Sequence, residues 1–233
     1  MILSKDLITS IKIKKESINL EDLKSSNIYY IIGNAYAGKS TMCKYLADKY
    51  DGILCEENYH NYYLDDLDNN EFPNLCYTRD LQDWHDFIRR SPDEYARWIS
   101  DVSKECEIIE LQLLKELIKY NKKIFVDTNI SIETLKKISD KDHVIVMLAD
   151  PNESVNLFFE REDREKQFLY QLIMEEENTE HALNNFRECL KRINSEEDYN
   201  QYLHSGFNVL KKDKTRTIEE TAEVVSKLFK LKD

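Results

Sequence analysis

The sequence predicts an α/β fold, a parallel sheet wrapped by helices, on three grounds. Short apolar runs recur along the 233 residues, and most are followed by a segment of helical periodicity. One run, HVIVMLA at 143–149, shows no polar alternation. A strand that reads as continuously apolar is covered on both faces, the condition of a parallel sheet between helix layers. Strands alternating with helices give the same architecture.

Taken in order, IYYII (28–32) is the first strand, GILCE (52–56) the second and KIFVD (123–127) the third. HVIVMLA is the fourth, and GFNVL (206–210) the fifth. Over 105–120, Ile108, Leu111, Leu114 and Ile118 fall on one helical face. Helix starts are signalled by Asp150-Pro151-Asn152-Glu153 and Ser91-Pro92-Asp93-Glu94, each an N-cap followed by proline and an acid, and by the capping box TIEE at 217–220. Residues 57–104 and 161–205 exceed a minimal βα repeat. The simplest reading is one domain over 1–233 with these two insertions and an N-terminal extension, 1–27, that is a cap on the sheet or an interface.

A formal charge of −12 argues against a general affinity for nucleic acid or anionic membrane. Five dispersed cysteines without a CxxC pair suit a reducing compartment. The N-terminus lacks a signal peptide's apolar stretch, and no run reaches bilayer-spanning length. The expectation is a cytoplasmic protein without a membrane partner, monomeric or homodimeric.

The chain has only four glycines, and two of them stand five apart in IIGNAYAGKST at 31–41. A loop that leaves a buried strand and enters a helix points backbone N–H groups inward, at the positive end of the helix dipole. Gly33 and Gly38 give the backbone the conformations this needs. Asn34, Ala35, Tyr36, Ala37 and Thr41 complete the cradle. Lys39 reaches the β- and γ-phosphates of a nucleotide, and the Ser40 hydroxyl is a ligand for Mg²⁺. The expected cofactors are therefore ATP and Mg²⁺.

Neither the NKxD nor the DxxG motif of GTPase switches occurs, and KIFVD ends in Asp127-Thr128-Asn129 without the neighbouring Glu that prepares water in motor ATPases. Asp127 is the candidate to organise Mg²⁺, or else the cap of the next helix. Arg161 and Arg164, in FFEREDR at 158–164, are spaced as a lid pair that would stabilise charge on a moving phosphoryl group; surface ion pairing is their alternative role.

The series GNAYAGKST, VDT, FEREDR and DKTRTIEE, with an acidic tip after the second strand, resembles the nucleoside-monophosphate-kinase-like P-loop kinases. That set includes shikimate, gluconate and deoxynucleoside kinases and antibiotic phosphotransferases. The resemblance covers most of 28–230. It implies a three-layer P-loop NTPase fold with a five-stranded parallel sheet ordered 2-3-1-4-5, a helical substrate-binding insertion and a lid. It also implies phosphate, metal and lid roles for Lys39, Ser40, Asp127, Arg161 and Arg164. The loop around Thr215 and Arg216 would lie beside adenine.

On the acceptor side, Glu56 and Glu57 follow the second strand, where a carboxylate is placed to take the proton of an attacking hydroxyl. Strand alternation lets only one face the cleft, with Glu57 preferred. Between 59 and 98 lie nine aromatics, material for a pocket or for packing. Arg79 and Asp80, with Trp84 nearby, are the candidates for substrate contact. These residues favour a kinase acting on a small molecule such as a nucleoside, nucleotide, sugar acid or antibiotic. The alternatives are a nucleotide-sensing interaction module and a phosphotransferase acting on a macromolecule.

Overall fold

The computed structural model describes residues 1–3, 12–15, 18–24, 27–160 and 164–232. Its centre is a five-stranded sheet ordered 2-3-1-4-5, every pair parallel. The strands are β1 (Ile28–Gly33), β2 (Ile53–Cys55), β3 (Ile124–Asp127), β4 (Val144–Leu148) and β5 (Asn208–Lys211). β1 is central, and its register sets Ile31 beside Asp127 on one side and Ile145 on the other.

Alternation divides the side chains between two cores. Tyr30, Ile32, Val126, Val144 and Val146 face a helical layer that includes α4 (Pro92–Leu117) and α5 (Ile132–Ile138). Tyr29, Ile31, Phe125, Ile145 and Met147 face α1 (Lys39–Lys49) and α10 (Ile218–Leu228). Asp127 follows Phe125 by two, so the pleat turns it toward α1. This small fact places the site.

A third apolar cluster joins the first insertion to the second. It packs Phe87 and Tyr95 against Ile173, Phe186 and Leu190, so α3 (His85–Ile88) and the start of α4 rest on α7 (Arg164–Glu175) and α8 (Thr179–Ile193). Ahead of them in sequence lies α2 (Pro73–Asp80), and α6 (Pro151–Asn156) and α9 (Glu196–Leu203) complete the α-helices among the described residues. The expected boundary at 104 does not hold: α4 begins at the Ser91 capping box and runs 26 residues without a break, because no glycine or proline interrupts it. The N-terminal extension adds to the sheet edge, where Leu54 N–H donates to the Met1 carbonyl (2.8 Å) and Leu3 N–H to the Leu54 carbonyl (2.9 Å). Among the described residues no helix is long and apolar enough to cross a membrane.

Candidate functional site

The loop between β1 and α1 is held by constraints that its sequence explains. Gly33 has φ of 130°, and a Cβ there would stand 1.9 Å from the Met147 carbonyl oxygen, so no other residue fits. Asn34 then clips the loop to the end of β4: its Nδ2 donates to the Ala149 carbonyl and its Oδ1 accepts from Ala149 N–H, both at 2.8 Å. Tyr36 takes a left-handed φ of 65°, uncommon for a side chain of this size, and its hydroxyl donates to the Leu157 carbonyl at 3.0 Å. Gly38, with φ of 91°, is the N-cap of α1.

The first turn of α1 differs from those of the other helices. The helices α4, α5, α6, α8, α9 and α10 carry Asp or Glu in the first turn, and each has an N-cap side chain accepting from a backbone amide. α2 lacks an acid there, but the Glu105 carboxylate accepts from Asn74 N–H (3.1 Å) and Leu75 N–H (2.8 Å). α1 has neither an acid nor a side-chain cap. Its amides and dipole are left for an anion, and the cation supplied there is Lys39.

Lys39 Nζ donates to the Asn34 carbonyl at 3.3 Å and lies 4.0 Å from Asp127 Oδ1. Ser40 Oγ donates to Asp127 Oδ2 at 2.6 Å. Burial pushes the Asp127 carboxyl up to about 6; Lys39 and Ser40 pull against this, while Glu57 and Glu110 add to it. Such a carboxylate is poised to gain from a divalent cation.

A fully buried carboxylate fixes this end of β3. Glu110 accepts from Thr128 Oγ1 (2.5 Å), Asn129 N–H (3.1 Å) and Asn129 Nδ2 (3.1 Å), and its Oε1 lies 2.9 Å from His60 Nδ1. One side chain on α4 thus ties the segment after Asp127 to the 3₁₀ turn Tyr59–Asp66, which begins two residues after Glu57.

Over the loop opens a cleft of about 430 Å³, bordered by Lys39, Ser40, Glu57, Tyr95, Lys166 and Asn194, among others. Glu57 is the member of the acidic pair that reaches it; Glu56 is exposed and does not line it. β2 ends at Cys55, and Asn58 turns the chain with a left-handed φ of 61°. On the other side of the loop a cavity of about 230 Å³ is bordered by Gly38, Thr41, Met147, Leu210 and Arg216. Thr215 does not border it; its hydroxyl donates to Asp213 Oδ1 at 2.6 Å and shapes the turn.

The structure therefore brings together the whole 33–41 loop, Asp127, Glu57 and, on the far side, Arg216. Arg161 lies outside the described residues. Arg164 is exposed at the start of α7 and does not border the cleft, whereas Lys166 two residues on does. Its Nζ stands 5.3 Å from the Phe158 ring centre and 5.7 Å from that of Tyr36.

Arg79, Asp80 and Trp84, expected at the substrate, do not border the cleft. Arg79 Nε and Nη2 donate to Asp80 at 2.7 and 2.9 Å, and Nη1 donates to the Leu64 and Leu67 carbonyls. Opposite charges on neighbouring residues satisfy each other, and the remaining donors hold a turn. Trp84 packs edge-on against Phe87 and Phe168. Lys166, Asn194 and Glu110 escaped the sequence reading, and Tyr95 entered it only as one of the nine aromatics between 59 and 98; of the three missed, only Glu110 had a signal, an acid on the apolar stripe of α4.

No family model matches the chain, and no curated protein matches it.

Proposed function

We propose that this protein is an ATP- and Mg²⁺-dependent kinase of small molecules, cytoplasmic, built on a P-loop nucleotide-binding fold. The observation that carries the reading is the convergence of Lys39, Ser40 and Asp127 at a first turn that has neither an acid nor a side-chain cap, with Ser40 and Asp127 2.6 Å apart. Mg²⁺ takes oxygen donors and is bound through one or two protein groups together with nucleotide phosphates. A buried carboxylate beside a hydroxyl fits that need, so Ser40 and Asp127 would hold the ion. The ion would neutralise charge on the β- and γ-phosphates.

The rest is chemistry of the chain. Loop amides and Lys39 bind the polyphosphate and orient it. Arg216 and the apolar walls of the neighbouring cavity receive the base. An acceptor hydroxyl oxygen attacks the γ-phosphorus as its bond to the bridging oxygen breaks, and Glu57 accepts the hydroxyl proton. Lys166, the cation described on the lid side of the cleft, meets the charge on the moving group. Phe158, Leu190 and Ile193 keep water away from the γ-phosphate.

The test is ADP formation from Mg·ATP with a library of hydroxyl-bearing small molecules. At least one should raise ADP above the ATP-only background, and Glu57→Gln should lower that turnover on the order of 100-fold. ATP binding with no turnover for any acceptor would instead favour a nucleotide-sensing module.

A further inference from the structure

The strand order opens a second place for a ligand. The connection leaving β1 runs outward to β2, and the one leaving β4 runs the opposite way to β5. Adjacent strands whose connections diverge leave a crevice at their carboxyl ends, where α/β sheets take ligands. A cavity of about 160 Å³ lies there, bordered by Gly33 and Asn34 after β1, Pro151 after β4, and α8–α9 residues. Ala35, Ile193 and Asn194 border both this crevice and the cleft over the loop, so the two spaces adjoin across these residues.

The crevice is walled by uncharged polar groups and one carboxylate. Ser195 Oγ donates to Asp198 Oδ2 at 2.6 Å, leaving the other carboxylate oxygen with acceptor capacity. Tyr199 and Tyr202 add phenols. Burial raises the Tyr202 pKa, with Asp198 and Asp127 adding to it, so its hydroxyl is a proton donor at neutral pH and lies within the field of both carboxylates. Among the described residues, no Lys or Arg borders the crevice. An anionic group there would meet negative charge without a cation to hold it. A volume on the order of 150 Å³ holds one six-membered ring, not a stretch of polymer.

The geometry points to this crevice as the acceptor subsite of the kinase, selecting a neutral or cationic polyhydroxylated ring, such as a sugar or aminosugar, through Asp198 and Tyr202. This rests on the phosphotransferase reading. Asp198 accepts from ring hydroxyls or an ammonium group, Tyr202 donates to a ring oxygen, and one hydroxyl is directed past Ala35 and Asn194 toward the γ-phosphate and Glu57. Sugar acids and nucleoside monophosphates are disfavoured by the same field.

The experiment is the ADP assay run with matched acceptors: glucosamine and glucose against gluconate and glucose 6-phosphate, extended to a library of single-ring compounds sorted by charge. Turnover should be confined to the neutral and cationic arm. With the best acceptor, Asp198→Asn should raise KM at least tenfold and Tyr202→Phe severalfold, with KM for ATP within twofold of the parent. A best acceptor bearing phosphate or carboxylate, or an acceptor KM unmoved in both variants, overturns the assignment while leaving the kinase intact. Silence from every acceptor on protein that binds Mg·ATP overturns the transfer reading and this assignment together.

Discussion

Asp127 is costly to the fold without a bound cation. Its carboxyl keeps a proton up to about pH 6, against the ordinary 3.8 of an exposed aspartate. Between these values the folded chain binds more protons than the unfolded one, so this residue makes stability fall as pH rises through that window, and the loss is complete above it. In Asp127→Asn the side chain still accepts from Ser40 and cannot ionise. Without Mg²⁺ or nucleotide, it should be more stable than the parent by about 1–3 kcal/mol at pH 7.5 and by little at pH 4. Urea unfolding at the two pH values measures this, and a stability difference that does not grow with pH contradicts it. Glu110 belongs to the same account: four contacts from one buried carboxylate hold the end of β3 and the turn after Glu57 in fixed relation.

The helices α4, α7 and α8 form the wall that makes a cleft out of an exposed loop. Their shared cluster is aromatic: Phe186 is fully buried, with Tyr95, Phe158 and Phe159 at ring-centre distances of 5.7–5.8 Å. Tyr95 and Phe158 also border the cleft, so packing and site share residues. Truncation by Phe186→Ala should cost about 3–5 kcal/mol in urea unfolding. A loss under about 1 kcal/mol would show that these helices do not pack as described. The start of α4 was legible in Ser91-Pro92-Asp93-Glu94, because the capping box is local chemistry. Its continuity through 104 was not, because the polar residues of SDVSK mask the stripe that resumes at Cys106.

What could be read from the chain divides along the same physical line. The five strands and the parallel sheet followed from apolar runs, and the order 2-3-1-4-5 from the family likeness, since local pattern carries no strand order. The meeting of Lys39, Ser40 and Asp127 was legible because loop spacing and strand pleat dictate it. The acceptor side was legible only at Glu57, which follows the end of a strand. Tyr95, Lys166 and Asn194 border the same cleft from three other segments, and local pattern does not relate segments that only packing brings together. The pairing of Arg79 with Asp80 was not legible, because a charged pair looks alike in sequence whether it awaits a ligand or is satisfied internally.

Isothermal titration of Mg·ATP into the full chain, beside Lys39→Ala with an unchanged thermal unfolding midpoint, tests the anion site directly. Saturable uptake of one nucleotide per chain is expected, weakened at least about tenfold in the variant, a loss of roughly 1.4 kcal/mol or more. Folded protein that takes up no nucleotide, or a variant that binds as tightly as the parent, would contradict it.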